Sequence, residues 1–90
     1  LEKYPRCEKL RLFNYNKVSS FNHLEYLFEL NISNCNIFNN KSFDGLLNLK
    51  VLNISNTTNI TNLNKLKNLT ALDASFSELS DNGLKSLFYL

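Results

Sequence analysis

The chain of 90 residues has no Trp, no Met, one Pro, two Gly and two Cys. Two cysteines cannot form the disulfide framework that staples a small secreted domain. A lone histidine, His23, has neither Cys nor carboxylate beside it at ligand or triad spacing and reads as a solvated turn residue. The two glycines are isolated, which excludes a Gly-rich phosphate loop. No apolar run approaches the roughly 18 residues of a membrane span, and no basic stretch followed by an apolar one opens the chain. Ten basic and eight acidic residues are scattered to a net charge of +2, so neither nucleic acid nor an anionic membrane finds a basic stripe. The expectation is one small domain without cofactor, metal or small-molecule substrate.

What is abundant is Leu, 18 residues, and Asn, 16 residues. Leu wants burial, whereas Asn bonds its own backbone and tolerates left-handed turns. Together they predict many short elements separated by turns. A unit Leu-x-[Leu/Ile/Ala]-Ser-x-[Cys/Thr/Ser] recurs as Leu30 to Cys35, Leu52 to Thr57 and Leu72 to Ser77, with a degraded copy from Leu10 to Tyr15. The leading leucines at 10, 30, 52 and 72 are followed by Leu90, giving spacings of 20, 22, 20 and 18. In each unit the alternating apolar pair predicts a very short strand with one buried face.

Between the strands an apolar residue falls every third position: Val18, Phe21, Leu24, Leu27; Phe43, Leu46, Leu49; Ile60, Leu63, Leu66, Leu69; then Leu84, Leu87. A period of three fits 3-10 turns or loosely extended backbone better than an α-helix, although helical turns are compatible with residues 43–47 and 81–87. Ser42 and Asp81 are the expected N-caps. Leu1, Tyr4 and Cys7 carry the same rhythm, and Leu84, Leu87, Phe88 and Leu90 form an apolar end, so a segment of a longer protein is expected.

Copy by copy, Cys7, Leu10, Leu12, Tyr15; Leu27, Leu30, Ile32, Cys35, Ile37; Leu49, Leu52, Ile54, Thr57, Ile60; and Leu69, Leu72, Ala74, Ser77, Leu79 match L-x-x-L-x-L-x-x-[N/C]-x-L. The chain thus resembles the leucine-rich repeat family. Residues 60–72 are similar to the internalin and phosphatase-regulator type, and residues 79–84 to the cysteine-containing type of F-box proteins. The resemblance implies an α/β solenoid, with short parallel strands on a concave face and 3-10, short helical and irregular segments on a convex one. The whole of 1–90 is then a single array of about four repeats, at 7–26, 27–48, 49–68 and 69–86, with partial repeats at both ends. Each turn leaving a strand should be satisfied by Cys35, Thr57 or Ser77 donating to backbone carbonyls; Tyr15 is too large for this place.

Cys7 and Cys35 are expected to be buried and reduced, separated by about 20 Å along the strand direction, beyond disulfide reach. With no capping disulfide cluster, a reducing, cytoplasmic compartment is expected, the cell surface or secretion being the alternative. The sequons at Asn31, Asn40, Asn53, Asn56, Asn59 and Asn68 arise largely from the repeat and the Asn content. The carboxylates Glu8, Glu29 and Asp73 fall in different columns, so no catalytic residue is assigned and the chain is read as a non-enzyme.

Outward positions of successive strands align in columns about 4.8 Å apart. These read Arg11, Asn31, Asn53, Asp73; Phe13, Ser33, Ser55, Ser75; Asn14, Asn34, Asn56, Phe76; and, flanking, Glu8, Phe28, Lys50, Thr70 and Lys9, Glu29, Val51, Ala71. The resulting field of amides and hydroxyls edged by aromatics suits a polypeptide partner, through Arg11, Phe13, Phe28, Asn31, Ser33, Lys50, Asn53, Ser55, Asp73 and Phe76. A non-catalytic protein-interaction module is the leading expectation. The substrate-recognition segment of an F-box-type ubiquitin ligase, a cell-surface adhesin or receptor fragment, and a structural spacer are the alternatives.

Overall fold

The structure, a computed structural model, describes residues 6–15, 21, 24–87 and 89–90. Four strands, β1 (Lys9–Arg11), β2 (Glu29–Asn31), β3 (Val51–Asn53) and β4 (Ala71–Asp73), lie side by side in chain order, all parallel. Leu10, Leu30, Leu52 and Leu72 pair in register across them. Their side chains point to the same interior, where Leu30 and Leu52 are 1% exposed and Leu10 and Leu72, on the outer strands, are half-buried against the same core. Each leucine withdrawn from water contributes about 1.5 to 3 kcal/mol, and it is withdrawn only because a neighbouring circuit of chain covers it.

The return path from each strand to the next explains the period of three. Leu24 N–H donates to the Phe21 carbonyl, Leu27 to Leu24, Leu46 to Phe43, Leu49 to Leu46, Leu66 to Leu63 and Leu69 to Leu66. Successive three-residue turns put each apolar side chain on the same inner line, and all of these residues are buried. Among the described residues the helical elements are two 3-10 helices, Asn40–Phe43 and Asp81–Gly83. No described helix is long and apolar enough to cross a membrane.

Several local expectations are corrected. The N-cap of the first 3-10 helix is Asn39, not Ser42: Asn39 Oδ1 accepts from Lys41 N–H at 2.9 Å, and Ser42 Oγ accepts from Asn39 N–H at 3.0 Å. Ser42 closes the capping box from inside, since its hydroxyl reaches back to the cap. The second helix is capped by Ser80, without a side-chain bond, and Asp81 is its first residue. Phe38 rather than Ile37 fills the interior, at 0% exposure, with its ring 4.7 Å from that of Phe21; Phe21 also stacks on Phe43 at 6.4 Å. Phe38 stands three residues after Cys35 as Ile60 stands three after Thr57, so the two are equivalent positions. Leu1, Tyr4, Val18, His23 and Phe88 lie outside the described residues.

Asparagine ties the circuits together. Asn48 Nδ2 donates to the Glu25 carbonyl at 3.0 Å, Asn68 Nδ2 to Leu47 at 2.8 Å and Asn64 Nδ2 to Asn82 at 2.9 Å. Asn40 makes three such bonds: its Oδ1 accepts from Thr61 and Asn62 N–H and its Nδ2 donates to Thr61 Oγ1. Turns leave backbone donors and acceptors unpaired, and an amide, carrying one of each, satisfies both kinds on the circuit beside it. The abundance of Asn therefore has a structural cause on the return side.

Candidate functional site

The open face of the sheet presents the side chains that alternate with the buried leucines. Lys9, Glu29, Val51 and Ala71 form one row in register, and Arg11, Asn31, Asn53 and Asp73 the next. Beyond each strand the parallel pairing persists into the turn, with Asn34 N–H donating to the Ser55 carbonyl and Asn56 N–H to Ser75. Before the strands it persists through Phe28 N–H to Glu8, Lys50 N–H to Phe28 and Thr70 N–H to Lys50. The ten residues expected to bind a partner therefore lie along one continuous sheet and its margins. Arg11, Phe13, Lys50, Asp73 and Phe76 are exposed, and Phe28, Asn31, Ser33, Asn53 and Ser55 are half-buried.

The central amides have a second role that the columns do not reveal. Asn31 Oδ1 accepts from Ser33 N–H at 3.0 Å, Asn53 Oδ1 from Ser55 N–H at 2.9 Å, and Asp73 Oδ1 from Ser75 N–H at 3.1 Å. Ser55 and Ser75 hydroxyls donate to the same oxygens, each at 2.8 Å. Each is a side-chain-closed turn at the strand exit. The Oδ1 atoms are consumed locally, and the Nδ2 groups of Asn31 and Asn53 have no partner among the described residues. The two bonds from Ser75, backbone first and hydroxyl second, hold the Asp73 carboxyl below its ordinary range, and it stays ionised.

The next position is left-handed in every circuit: Asn14 at φ 49°, Asn34 at 64°, Asn56 at 55° and Phe76 at 56°. Asn adopts this conformation at little cost, but a phenyl side chain does not. Phe76 is nevertheless there, with 86% of its surface exposed, and Phe13, at the other end of the face, is 73% exposed. Phe28, between them along the opposite margin, carries the Lys9 ammonium 5.7 Å from its ring centre.

The cysteines depart in part from expectation. Cys35 is buried, and its Sγ donates to the Leu12 carbonyl of the preceding circuit at 3.6 Å; Thr57 is buried, with Oγ1 donating to Ile54 at 2.6 Å. Cys7 is only half-buried because it stands on the outer circuit, and its thiol donates to the Lys9 carbonyl at 3.1 Å. Both thiols are free. Ser77 does not donate as expected but accepts from Leu79 N–H at 3.3 Å. Tyr15 is half-buried against the core.

Among the described residues no group of His, Cys, Asp and Glu is arranged to hold a metal. Glu29 and Asp73 stand on strands separated by β3, about 9.6 Å or more apart, too far to share a proton. The return side has a shallow groove of about 340 Å³ lined by Asn40, Lys41, Phe43 and residues 62–66. Of its polar groups, Asn40 bonds the next circuit, and Lys65 pairs with Asp44 at 2.9 Å. No family model, curated protein or solved structure matches the chain.

Proposed function

We propose that the chain is a leucine-rich repeat solenoid segment whose concave sheet face is a non-catalytic binding surface for a polypeptide partner. In support of the solenoid stand the parallel strands in chain order, the leucine row in register and the interior formed wholly between successive circuits. The observation that carries the binding role is Phe76. A ring 86% exposed and held at φ 56°, where the other circuits use Asn, costs stability both by its backbone and by its exposure. Recognition gives such a residue its use, because a partner that covers the ring removes the apolar area from water. The free thiols of Cys7 and Cys35 favour a reducing compartment.

The test is selection of random displayed peptides on the intact chain. Selected peptides should lose at least tenfold in affinity for the double variant Phe13→Ala, Phe76→Ala, and keep it for Lys67→Ala on the return side. Selection of no peptide, or of peptides indifferent to the first variant and sensitive to the second, overturns the reading.

A further inference from the structure

We infer that the preferred occupant of this face is an extended polypeptide segment crossing the strands, with a carboxylate at position i, a hydrogen-bond acceptor at i+2 and Arg or Lys at i+4. The inference rests on the reading of the face as polypeptide-binding and adds the chemistry and spacing of what binds.

The row Arg11, Asn31, Asn53, Asp73 is polar in direction. It starts with a cation, ends with an anion, and in between offers two amide donors whose oxygens are already bonded. The adjacent charges Lys9 and Glu29 stand opposite one another in register and offset each other. Among the described residues Lys65 pairs with Asp44, and neither Arg11 nor Asp73 enters an ion pair. Both end charges are therefore available to a ligand. An exposed ring flanks each end, Phe13 beside Arg11 and Phe76 beyond Asp73. Asp73 and the exposed Phe76 are three residues apart at the same strand exit, a pairing of carboxylate and ring that suits guanidinium.

Spacing fixes the register of the ligand. Three strand separations of about 4.8 Å place Arg11 and Asp73 about 14 Å apart, while an extended chain advances about 3.4 Å per residue, so residues i and i+4 span about 13.6 Å. Alternation puts i, i+2 and i+4 on the same side of that chain. Residue i+2 then stands about 6.8 Å from the first, between Asn31 at about 4.8 Å and Asn53 at about 9.6 Å. A Gln, Asn or carboxylate oxygen there accepts from both Nδ2 groups.

Fluorescence anisotropy on the intact chain tests this with nonapeptides centred on Glu-Thr-Gln-Thr-Arg. Deleting the second Thr turns the Arg to the opposite side, and Glu-Thr-Gln-Thr-Glu puts a like charge over Asp73; both should bind at least tenfold more weakly. Asp73→Arg should reverse the order of the Arg-ended and Glu-ended peptides, with its fold checked by circular dichroism. Equal binding of all three peptides, still lost in the Phe13→Ala, Phe76→Ala variant, overturns the inference and leaves the binding face standing. Binding of none, when displayed peptides that need Phe13 and Phe76 are selected, overturns the inference alone. Binding indifferent to every face variant overturns both.

Discussion

Phe76 and Asn56 occupy the same turn in successive circuits, with left-handed φ of 56° and 55°. Left-handed backbone costs an ordinary L-residue about 1 to 2 kcal/mol, and Asn much of that less. Phe76→Asn should therefore stabilise the chain by about 0.5 to 1 kcal/mol, a rise in Tm of several degrees at this size, while weakening peptide binding. Thermal unfolding and anisotropy on one sample check both halves. A variant less stable than the parent would remove the strain argument.

Gly83 is defined by contact rather than by φ. A Cβ there would overlap the Thr61 carbonyl oxygen, and Leu63 N–H donates to the Gly83 carbonyl at 2.9 Å. The Leu79 side chain packs alongside, but the nearest obstacle is the Thr61 main chain, which cannot swing aside as a side chain does. Gly83→Ala should cost about 2 to 3 kcal/mol, read as a lower urea midpoint with unchanged slope. A loss under about 0.5 kcal/mol would mean that the final circuit shifts freely.

Asn40 joins the first 3-10 helix to the circuit after it through three hydrogen bonds. Asn40→Ala should lose about 1 to 2 kcal/mol, because two backbone donors revert to water. Asn40→Asp keeps the acceptor for both backbone donors, and the Thr61 hydroxyl can turn to donate to the new carboxylate oxygen, so its loss should be no more than half as large. Equal losses in urea unfolding would mean that the amide oxygen is not what holds Thr61 and Asn62.

Asp73 links stability to pH. Its folded-state pKa is lowered by Ser75, so its contribution is complete above the ordinary value of 3.8 and is lost as pH falls through the lower folded-state value. Asp73→Asn, which retains the turn-closing oxygen seen at Asn31 and Asn53, should flatten the acid limb of a stability profile between pH 2 and 4. An unchanged limb would place the acid sensitivity in other carboxylates.

The inward half of this protein is legible in its sequence because apolar spacing records which way a side chain points. The pairings Leu10 with Leu30, Leu30 with Leu52 and Leu52 with Leu72 follow from the repeat alone, as do the open rows that start at Lys9 and Arg11. The polar half is legible only in part. Composition predicts that Asn serves turns, but not that Asn31 and Asn53 spend their oxygens on Ser33 and Ser55 while Asn48 and Asn68 reach a circuit back. An amide has several partners within reach of one turn, and the geometry of the backbone selects among them. The same ambiguity exchanged Asn39 and Ser42 as cap, since each hydrogen-bonds across that turn. The shift from Ile37 to Phe38 came from an extra residue after Cys35, which one sequence does not align.

Among the described residues the amide ties on the return side reach the adjacent circuit and not the one beyond. Tension applied along the row of strands therefore meets its resistances in series. The weakest junction yields first, whatever the strength of the others. Asn40 reinforces the junction between the second and third circuits, so a chain pulled from its two ends should part elsewhere before it parts there.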